Sequence, residues 1–331
     1  MLTTSVNGRV YDYNRVVGGR AFRGLTYAAV GDNDDVFVVT RDQAVVDILK
    51  LTIGSDLDDE ELITSFRDGR EENFDDTWPT CISVFAGLVY LTDELNSQIL
   101  VFDGEGNKLS EIGEPGEGLG QFNRPSGISI SSDGCIYVSD TLNNRIQKFS
   151  LSGEHLGGWG SHGQGIGEFD APWGISVGPD GAVYVSDHKN HRIQKFDQDG
   201  NLLLSFGEYG AESGQLDHPS DVSVDSDGDI YVSDWANNRI QIFGAEGDHI
   251  ANLTGSAIEL SKWQRQYVNA SPDVYKARRR VASLEPETFF ALPTCVEFDK
   301  NKSRLLAVDS QRWRIQVFDK VNNYGDPQFN I

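Results

Sequence analysis

The stretch YVSDTLNNRIQKF, at residues 137–149, decides the fold of this chain because it returns twice in nearly the same form. The second copy is YVSDHKNHRIQKF at residues 184–196, and the third is YVSDWANNRIQIF at residues 231–243. Each copy has an aspartate at its fourth position, and consecutive aspartates are 47 residues apart. This period is typical of the four-stranded blade of a β-propeller and is too long for a repeat made of two helices.

Weaker copies on both sides bring the number of repeats to six. The residues at the aspartate position are Thr40, Asp93, Asp140, Asp187, Asp234 and Asp309. A second marker, an apolar residue 18 or 19 positions earlier, is present in every copy as Phe22, Phe74, Phe122, Phe169, Leu216 and Phe290. Because two independent markers agree, we predict an all-β, six-bladed β-propeller in which residues 1–331 form a single domain.

The repeat that surrounds Asp140 shows how a blade is built. Four short runs rich in strand-forming residues follow one another, at residues 127–130, 135–140, 145–151 and 155–159. The sequence Ser-Asp-Gly separates the first two runs and favours a tight hairpin, because glycine accepts a positive φ. We therefore expect the four runs to form one antiparallel sheet, with the first strand innermost and the fourth outermost.

The last repeat lacks a good outermost strand of its own. Its tail, residues 324–327, reads Tyr-Gly-Asp-Pro and is a poor strand, whereas residues 9–18 read RVYDYNRVVG and lie ahead of Phe22, where an outer strand fits the register. We predict that this N-terminal strand completes the sixth blade and removes an exposed sheet edge.

The composition limits the possible partners and compartments. The formal net charge is −23 and the isoelectric point is near 4.5, so the chain repels phosphate backbones and anionic membrane surfaces. Nucleic acid is therefore an unlikely partner, and no run of 18 apolar residues indicates a membrane span. Residues 1–9 contain no apolar core of signal-peptide length, and the three cysteines have no ligand-like spacing, so we expect a cytoplasmic protein.

The repeated motif resembles a known family. The pattern Asp-x-x-Asn-x-Arg-Ile-Gln-x-Phe, preceded by Pro-x-Gly-Ile and by Gly-x-Gly-x-Phe, is similar to the NHL repeat of six-bladed β-propellers. The matching residues are Asn143, Asn190 and Asn237, Pro125, Pro172 and Pro219, and Gly127 and Gly174. Asp221 replaces the glycine in the copy that contains Asp234. The resemblance implies the fold but not one function, since such propellers include protein-binding modules, RNA-binding domains, sensor domains, lyases and hydrolases.

The aspartate of each repeat and the arginine five residues later allow two interpretations. A charge-assisted fork between them could shape the loop that joins the second and third strands, or the pair could bind a ligand. We favour the structural interpretation, because a ligand-binding pair would have to be useful in several blades. The second copy supports it by having Gln98 in place of the arginine.

The resemblance also indicates where a ligand could bind. In such propellers, the loops from each outer strand to the next inner strand share one face with the loops that join the second and third strands. We call this the mouth face. Candidate ligand-binding residues from the repeats on this face are Ser126, Trp173, Ser220 and Thr294, to which the helical insertion adds Trp263, Tyr267 and Arg279.

Evidence for catalytic or metal-binding residues is weaker. Lyases of similar fold hold a metal with several histidines from equivalent blade positions, whereas here His218 stands alone and the register predicts no histidine cluster. The acidic run at residues 225–229 resembles a calcium loop, but Ala236 stands at its twelfth position and the run coincides with a hairpin. We therefore predict no cofactor, with a metal ion in the central channel as the alternative; the candidate catalytic residues of an enzyme would be His218, Asp221 and Arg124.

The most individual part of the chain is an insertion at residues 256–288, before the last blade. Helical spacing of apolar residues and the sequence Ser271-Pro272-Asp273 predict two short helices on the mouth face, where they could cap the central channel. Trp263 and Tyr267 would line a ligand site or dock the insertion onto the propeller. The basic run that contains Arg279 is either a solvated helix face or a site for a small anionic ligand or an acidic protein.

Taken together, these patterns predict a soluble propeller that binds a protein or a small anionic ligand through its mouth face and insertion. The alternative is a small-molecule lyase or hydrolase with a metal or an acid/base group in the channel. Neither a Gly-x-Ser-x-Gly motif nor a Walker loop supports the enzyme. A shallow, exposed aromatic or charged surface would favour a protein partner, and an apolar-walled pocket with convergent polar groups would favour catalysis.

Overall fold

A computed structural model describes residues 3–6, 9–42, 45–54, 59–67, 76–278, 280 and 287–321. Their strands form six antiparallel sheets, five with four strands and one with five. Each sheet is one blade, as the sequence repeats predict. Within the described ranges, no helix is long and apolar enough to cross a membrane.

The strands are numbered in chain order. The first two are β1 (Thr3–Val6) and β2 (Arg9–Gly18). Blade 1 contains β3 (Leu25–Val30), β4 (Asp35–Asp42), β5 (Val45–Ile53) and β6 (Glu60–Ser65). Blade 2 contains β7 (Pro79–Phe85), β8 (Leu88–Asp93), β9 (Gln98–Asp103) and β10 (Lys108–Ile112). A short parallel pair, β11 (Glu114–Pro115) and β12 (Gln121–Phe122), follows.

The three repeats that share the 47-residue period form blades 3, 4 and 5. Blade 3 contains β13 (Ile128–Ile130), β14 (Cys135–Asp140), β15 (Arg145–Ser150) and β16 (His155–Trp159). Blade 4 contains β17 (Pro172–Val177), β18 (Val183–Asp187), β19 (Arg192–Phe196) and β20 (Leu202–Phe206). Blade 5 contains β21 (Pro219–Val224), β22 (Ile230–Asp234), β23 (Arg239–Phe243) and β24 (His249–Leu253).

Blade 6 combines strands from the N-terminal and the C-terminal parts of the chain. It contains β25 (Pro293–Asp299), β26 (Arg304–Asp309) and β27 (Arg314–Val321), followed outwards by β2 and β1. Strand β2 pairs with β27 antiparallel, from Val10 opposite Val321 to Gly18 opposite Arg314. The additional strand β1 has no counterpart in the sequence-based prediction. The tail at residues 324–327 lies outside the described residues.

The blades form a closed ring around a central channel. Each innermost strand contacts the innermost strand of the next blade, and β25 of blade 6 contacts β3 of blade 1. The apolar core lies between neighbouring sheets: one cluster joins Tyr90 and Val101 of blade 2 to Ile136 and Phe149 of blade 3. Because stacking buries both faces of a blade, its strands are nearly continuous apolar runs instead of clean alternations.

The repeated aspartate and arginine hold the mouth-face loops in shape. In blade 3, Arg145 donates from Nε to Asp140 at 2.8 Å, and its other nitrogens donate to backbone carbonyls of the connection from blade 2, at residues 117, 118 and 121. Asp140 also accepts the backbone N–H of Asn123. Arg192 and Arg239 make the same set of bonds. The structural interpretation of this pair is therefore confirmed.

The insertion contains α1 (Lys262–Ala270) and α2 (Pro272–Arg278). Ser261 begins α1 with a capping box, because its side chain accepts from the backbone of Gln264, whose side chain accepts from the backbone of Ser261. Helix α1 contacts β2 and the turn that follows it, and Lys262 donates to the carbonyl of Glu60 in blade 1. These contacts place α1 at the outer edge of blades 6 and 1, instead of over the mouth of the channel.

Candidate functional site on the mouth face

Side chains from several blades converge in the central channel at one position of the repeat. This position lies two residues after the conserved proline or its equivalent, and the residues there are Tyr27, Cys81, Gly127, Gly174, Asp221 and Cys295. The two glycines allow inner strands to approach closely: a Cβ on Gly174 would lie 2.4 Å from the Cα of Asp221. Among the residues at this position, Asp221 is the one with a carboxylate side chain.

Asp221 is fully buried, and its Oδ2 accepts the backbone N–H of Val296 at 3.0 Å. Burial raises the pKa of Asp221 to about 7. Burial and the neighbouring Asp221 likewise raise the pKa of Glu297, in the inner strand of blade 6, to about 8. Near neutral pH, the channel therefore holds two carboxyl groups that resist ionisation.

Asp221→Asn should make the stability of the protein less dependent on pH. The folded-state pKa of Asp221 is about 7, well above the ordinary value of an aspartate, so the folded protein keeps a proton that the unfolded chain has already lost. Wild-type stability should therefore fall as pH rises through this window. The amide oxygen can still accept from Val296, so the variant should be about 3 kcal/mol more stable than wild type at pH 8 and close to it at pH 4.5.

Urea denaturation at pH 4.5, 6 and 8 measures this effect, with Asp199→Asn, an exposed carboxylate, as the matched control. A difference between Asp221→Asn and wild type that stays constant across the three pH values would contradict the assignment of a buried, protonated carboxyl group.

The predicted ligand-binding hydroxyls link neighbouring blades. Ser126 donates to the carbonyl of Trp173 at 3.0 Å, and Ser220 donates to that of Pro293 at 3.0 Å. Thr294 donates to the carbonyl of residue 26 at 2.6 Å, which joins blade 6 to blade 1. The structure thus gives these three hydroxyls a role in stacking the blades.

The three candidate catalytic residues make contacts with different groups. Arg124 lies 3.3 Å from Glu94, at an exposed position of the rim. Asp221 lies in the channel, whereas His218 lies on the mouth face, where its Nδ1 is 2.6 Å from Oδ1 of Asp217. These contacts do not bring Arg124, Asp221 and His218 together into one acid/base site.

Six aromatic and imidazole rings form one cluster on the mouth face, between blades 4 and 5. We call it the blade 4–5 patch; it consists of Trp173, His188, His191, Tyr209, His218 and Trp235. The ring centroid of His218 lies 4.9 Å from that of His188 and 4.5 Å from that of His191. Trp173 lies 4.6 Å from His188, and Tyr209 lies 4.7 Å from His191. Tyr209 is 67% exposed, so the patch is open to solvent.

The prediction that the register contains no histidine cluster, and that His218 stands alone, is therefore wrong. His188 and His191 flank a short turn between β18 and β19, and His191 adopts a left-handed backbone conformation with φ of 56°. His218 precedes the inner strand of blade 5 and also has a positive φ, 54°. His191 and His218 occupy different positions of the repeat. A comparison of equivalent positions therefore does not predict that they are in contact.

A bond that recurs between blades explains the contact. Asn144 accepts the backbone N–H of Ala171 at 2.9 Å, and Asn238 accepts that of Leu292 at 2.8 Å. His191 occupies the asparagine position, and its Nδ1 accepts the backbone N–H of His218 at 3.1 Å. Asn144 and Ala171 are 27 positions apart in the sequence, and so are His191 and His218. This shared spacing is the sequence signal that could have revealed the cluster.

The protonation of the three imidazoles follows from their partners. His188 Nδ1 lies 3.1 Å from the carbonyl of Pro219, which can only accept, so that nitrogen carries the proton. Burial lowers the pKa of His188 to about 4, so this ring is neutral at neutral pH. His191 accepts at Nδ1 and therefore carries its proton on Nε2, whereas His218 donates from Nδ1 to Asp217.

The insertion residues mainly dock α1 onto the propeller. The ring of Trp263 lies 5.3 Å from that of Phe22, and the guanidinium of Arg20 lies 4.1 Å above the ring of Tyr267. Arg279 lies outside the described residues, and the preceding Arg278 forms an ion pair with Glu287 at 2.8 Å. The docking interpretation of the two aromatic residues thus has direct support.

A cavity of about 100 Å³ lies between α1 and the chain that enters and leaves the insertion. Its lining includes Leu260, Gln264, Arg278 and Arg314. Ligand pockets for small molecules usually measure about 300–1,000 Å³, so this cavity is small for such a role.

The acidic run that resembles a calcium loop holds a lysine. Lys320 Nζ, which comes from β27, lies 2.5 Å from Asp225, 2.8 Å from Asp227 and 3.0 Å from Asp229. Asp229 also pairs with Arg9 of β2 at 2.7 Å. Burial alone would lower the pKa of Lys320, but the bonds to the three carboxylates outweigh it and raise the pKa above its usual value. The ammonium group of Lys320 is therefore the cation that the acidic hairpin binds.

Family models match three parts of the chain. A model described as a 6-bladed beta-propeller matches residues 78–157, and the NHL repeat matches residues 169–196 and 216–243. The protein is thus a six-bladed β-propeller. More narrowly, two of its repeats, at residues 169–196 and 216–243, are NHL repeats, which confirms the resemblance inferred from the motif.

Solved structures with the same architecture include a protein of unknown function and two lyases. A protein of unknown function from Bacteroides thetaiotaomicron has a TM-score of 0.61 at 14% identity, covering 94% of this chain and 73% of its own. A streptogramin B lyase has a TM-score of 0.57 at 16% identity, covering 94% and 97%. Virginiamycin B lyase from Staphylococcus aureus has 0.57 at 15%, covering 94% and 100%. At these identities the likeness shows the fold alone. No curated protein matches the sequence.

Proposed function

We propose that this propeller is a binding scaffold that recognises a protein partner through the blade 4–5 patch. The observation that carries the proposal is the open cluster of two tryptophans, a tyrosine and three histidines on the mouth face. Tryptophan and tyrosine are enriched among the residues that dominate protein interfaces. The rings pack against one another across two blades, so a partner would meet a preorganised surface and little ordering entropy would be lost on binding.

The charge of the chain favours a basic partner. Asp217 lies beside the patch, in contact with His218, and the net charge of −23 attracts cationic segments over a distance. A small anionic ligand at the insertion has less support, because Arg278 already pairs with Glu287. We therefore infer that the partner presents a basic segment with apolar or aromatic side chains.

The lyase or hydrolase alternative lacks a specific observation in its favour. Its candidate residues, Arg124, His218 and Asp221, make separate contacts, and the cavity beside α1 is small. A shallow aromatic surface is instead the feature that distinguishes a protein-binding module from an enzyme pocket.

Selection of peptides from a random display library against the immobilised protein tests the proposal. We expect enriched peptides to be basic and to bind with an affinity that Trp235→Ala and Tyr209→Ala each lower about 10- to 30-fold, the size of an interface hot spot. Fluorescence anisotropy with a labelled selected peptide measures the affinity.

The matched control is Trp78→Ala, which removes an exposed tryptophan from a different part of the ring. The control should bind like wild type. The proposal fails if selected peptides bind Trp235→Ala and Tyr209→Ala as tightly as wild type, or if no sequence is enriched above an unrelated acidic protein.

A further inference from the structure

Blade stacking does not account for the histidines at positions 191 and 218. What stacking requires at position 191 is an acceptor for one backbone N–H, which asparagine supplies at Asn144 and Asn238. At position 218 it requires only the backbone N–H, because the equivalent residues in other blades are alanine at 171 and leucine at 292. The repeats thus act as an internal comparison: among the blade interfaces that the described residues form, this one has an imidazole at both positions, and the others do not.

A carboxylate joins these two imidazoles. Oδ1 of Asp217 lies 2.6 Å from Nδ1 of His218 and 3.5 Å from Nδ1 of His191. One ligating atom from each of the three side chains lies within 4.8 Å of the other two. The side chains of His191, Asp217 and His218 are 18%, 23% and 37% exposed, so ions from solvent can reach the group.

We propose that His191, Asp217 and His218 bind one Zn²⁺ ion at the interface of blades 4 and 5. Imidazole and carboxylate are preferred zinc ligands, and bond lengths of about 2.0–2.1 Å in a tetrahedron place neighbouring ligand atoms about 3.3 Å apart. The separations of Asp217 Oδ1 from Nδ1 of His218 and of His191, 2.6 and 3.5 Å, lie on either side of this value. The ion takes the place of the proton that His218 Nδ1 now shares with Asp217, and at Nδ1 of His191 it replaces the hydrogen bond from the backbone N–H of His218.

Three protein ligands leave the fourth tetrahedral position open. Water occupies that position in an isolated propeller, and a side chain or carboxylate of another molecule can replace it. His188 packs against His218 but is not one of the three residues whose ligand atoms lie close together. The zinc site is independent of the proposed protein partner, since it depends only on residues of this chain.

The repeats supply variants that remove ligands and retain the fold. His191→Asn introduces the residue that blades 3 and 5 use at this position, and His218→Ala introduces the residue at position 171. Protein freed of metal by a chelator is titrated with Zn²⁺ by calorimetry, and with Co²⁺ while its visible absorption is recorded. Wild type should bind one ion per chain and give the intense bands of tetrahedral Co²⁺, and each variant should bind at least about tenfold more weakly and lose the bands.

His162→Ala, which removes an exposed histidine in the connection between blades 3 and 4, is the matched control and should bind both metals like wild type. Circular dichroism melting shows that the variants remain folded. The proposal is overturned if wild type binds no Zn²⁺ at micromolar concentration, or if His191→Asn and His218→Ala bind it as tightly as wild type. Peptide binding measured with and without zinc keeps this result separate from the proposed function, because either can fail alone.

Discussion

Removal of residues 1–18 should abolish cooperative folding of the whole propeller. The deletion removes β2, which pairs with β27 along its full length and buries Val10, Tyr11, Val16 and Val17. Each fully buried side chain of this size contributes about 1.5–3 kcal/mol, so the loss is at least about 6 kcal/mol. Since whole domains are stable by about 5–15 kcal/mol, the shortened chain should show no sharp thermal transition by circular dichroism.

A shorter deletion is the matched control. Removal of residues 1–6 takes away only β1, the fifth strand of blade 6, and should leave the melting temperature within a few degrees of the full chain. A synthetic peptide with the sequence of residues 9–18, added to the longer deletion, should restore part of the transition by pairing with the exposed edge of β27. A cooperative transition at the wild-type temperature after removal of residues 1–18 would show that β2 is dispensable.

Lys320→Met should destabilise the protein by about 3–5 kcal/mol, the cost of removing one partner from a buried ion pair. Lys320 is 7% exposed, and its ammonium group is the cation between Asp225, Asp227 and Asp229. Methionine fills a similar volume without the charge, so the buried Asp225 would lose its cation and Asp229 would keep only Arg9. The free energy of unfolding from urea titration measures the loss.

The pH dependence identifies the cause of this destabilisation. The bonds from Arg9 and Lys320 lower the pKa of Asp229, so removal of Lys320 should raise that pKa, and the ionised carboxylates then repel one another. The difference between variant and wild type should therefore be larger at pH 8 than at pH 5. Lys195→Met is the control, because Lys195 pairs with a half-exposed Asp180 and such pairs contribute less than about 1 kcal/mol. Equal effects of the two substitutions would contradict the role of Lys320.

The architecture was predictable from the sequence because each blade carries the same local signals. Strand-forming runs, a glycine hairpin and the aspartate–arginine pair recur at a fixed period, so even a weak copy such as the one at Thr40 could be located from its neighbours. The fork between Arg145 and Asp140 was predictable too, because both residues flank one loop. The insertion was harder, since it has no second copy, and its helices were predicted whereas their position at the ring's outer edge was not.

The candidate site was predicted only in part. Trp173 and His218 were identified individually, but their common patch with His188, His191, Tyr209 and Trp235 was not. The serine and threonine residues near the prolines, which are predicted from the sequence as ligand-binding residues, form hydrogen bonds that link the blades. Their hydroxyls donate hydrogen bonds to carbonyl groups of the neighbouring blade. These bonds depend on the distance between sheets and not on the motif itself.

The sequence alone determined the number of blades, the strand order within each blade and the structural task of the repeated charged pair, since all of these depend on residues close together in one repeat. Only the tertiary structure decided that Lys320 would neutralise an acidic hairpin 91–95 residues earlier, and that three imidazoles from two blades would meet. The physical reason is that ring closure and blade stacking bring together side chains from different positions of different repeats. Comparison of equivalent positions within the repeat does not reveal such contacts.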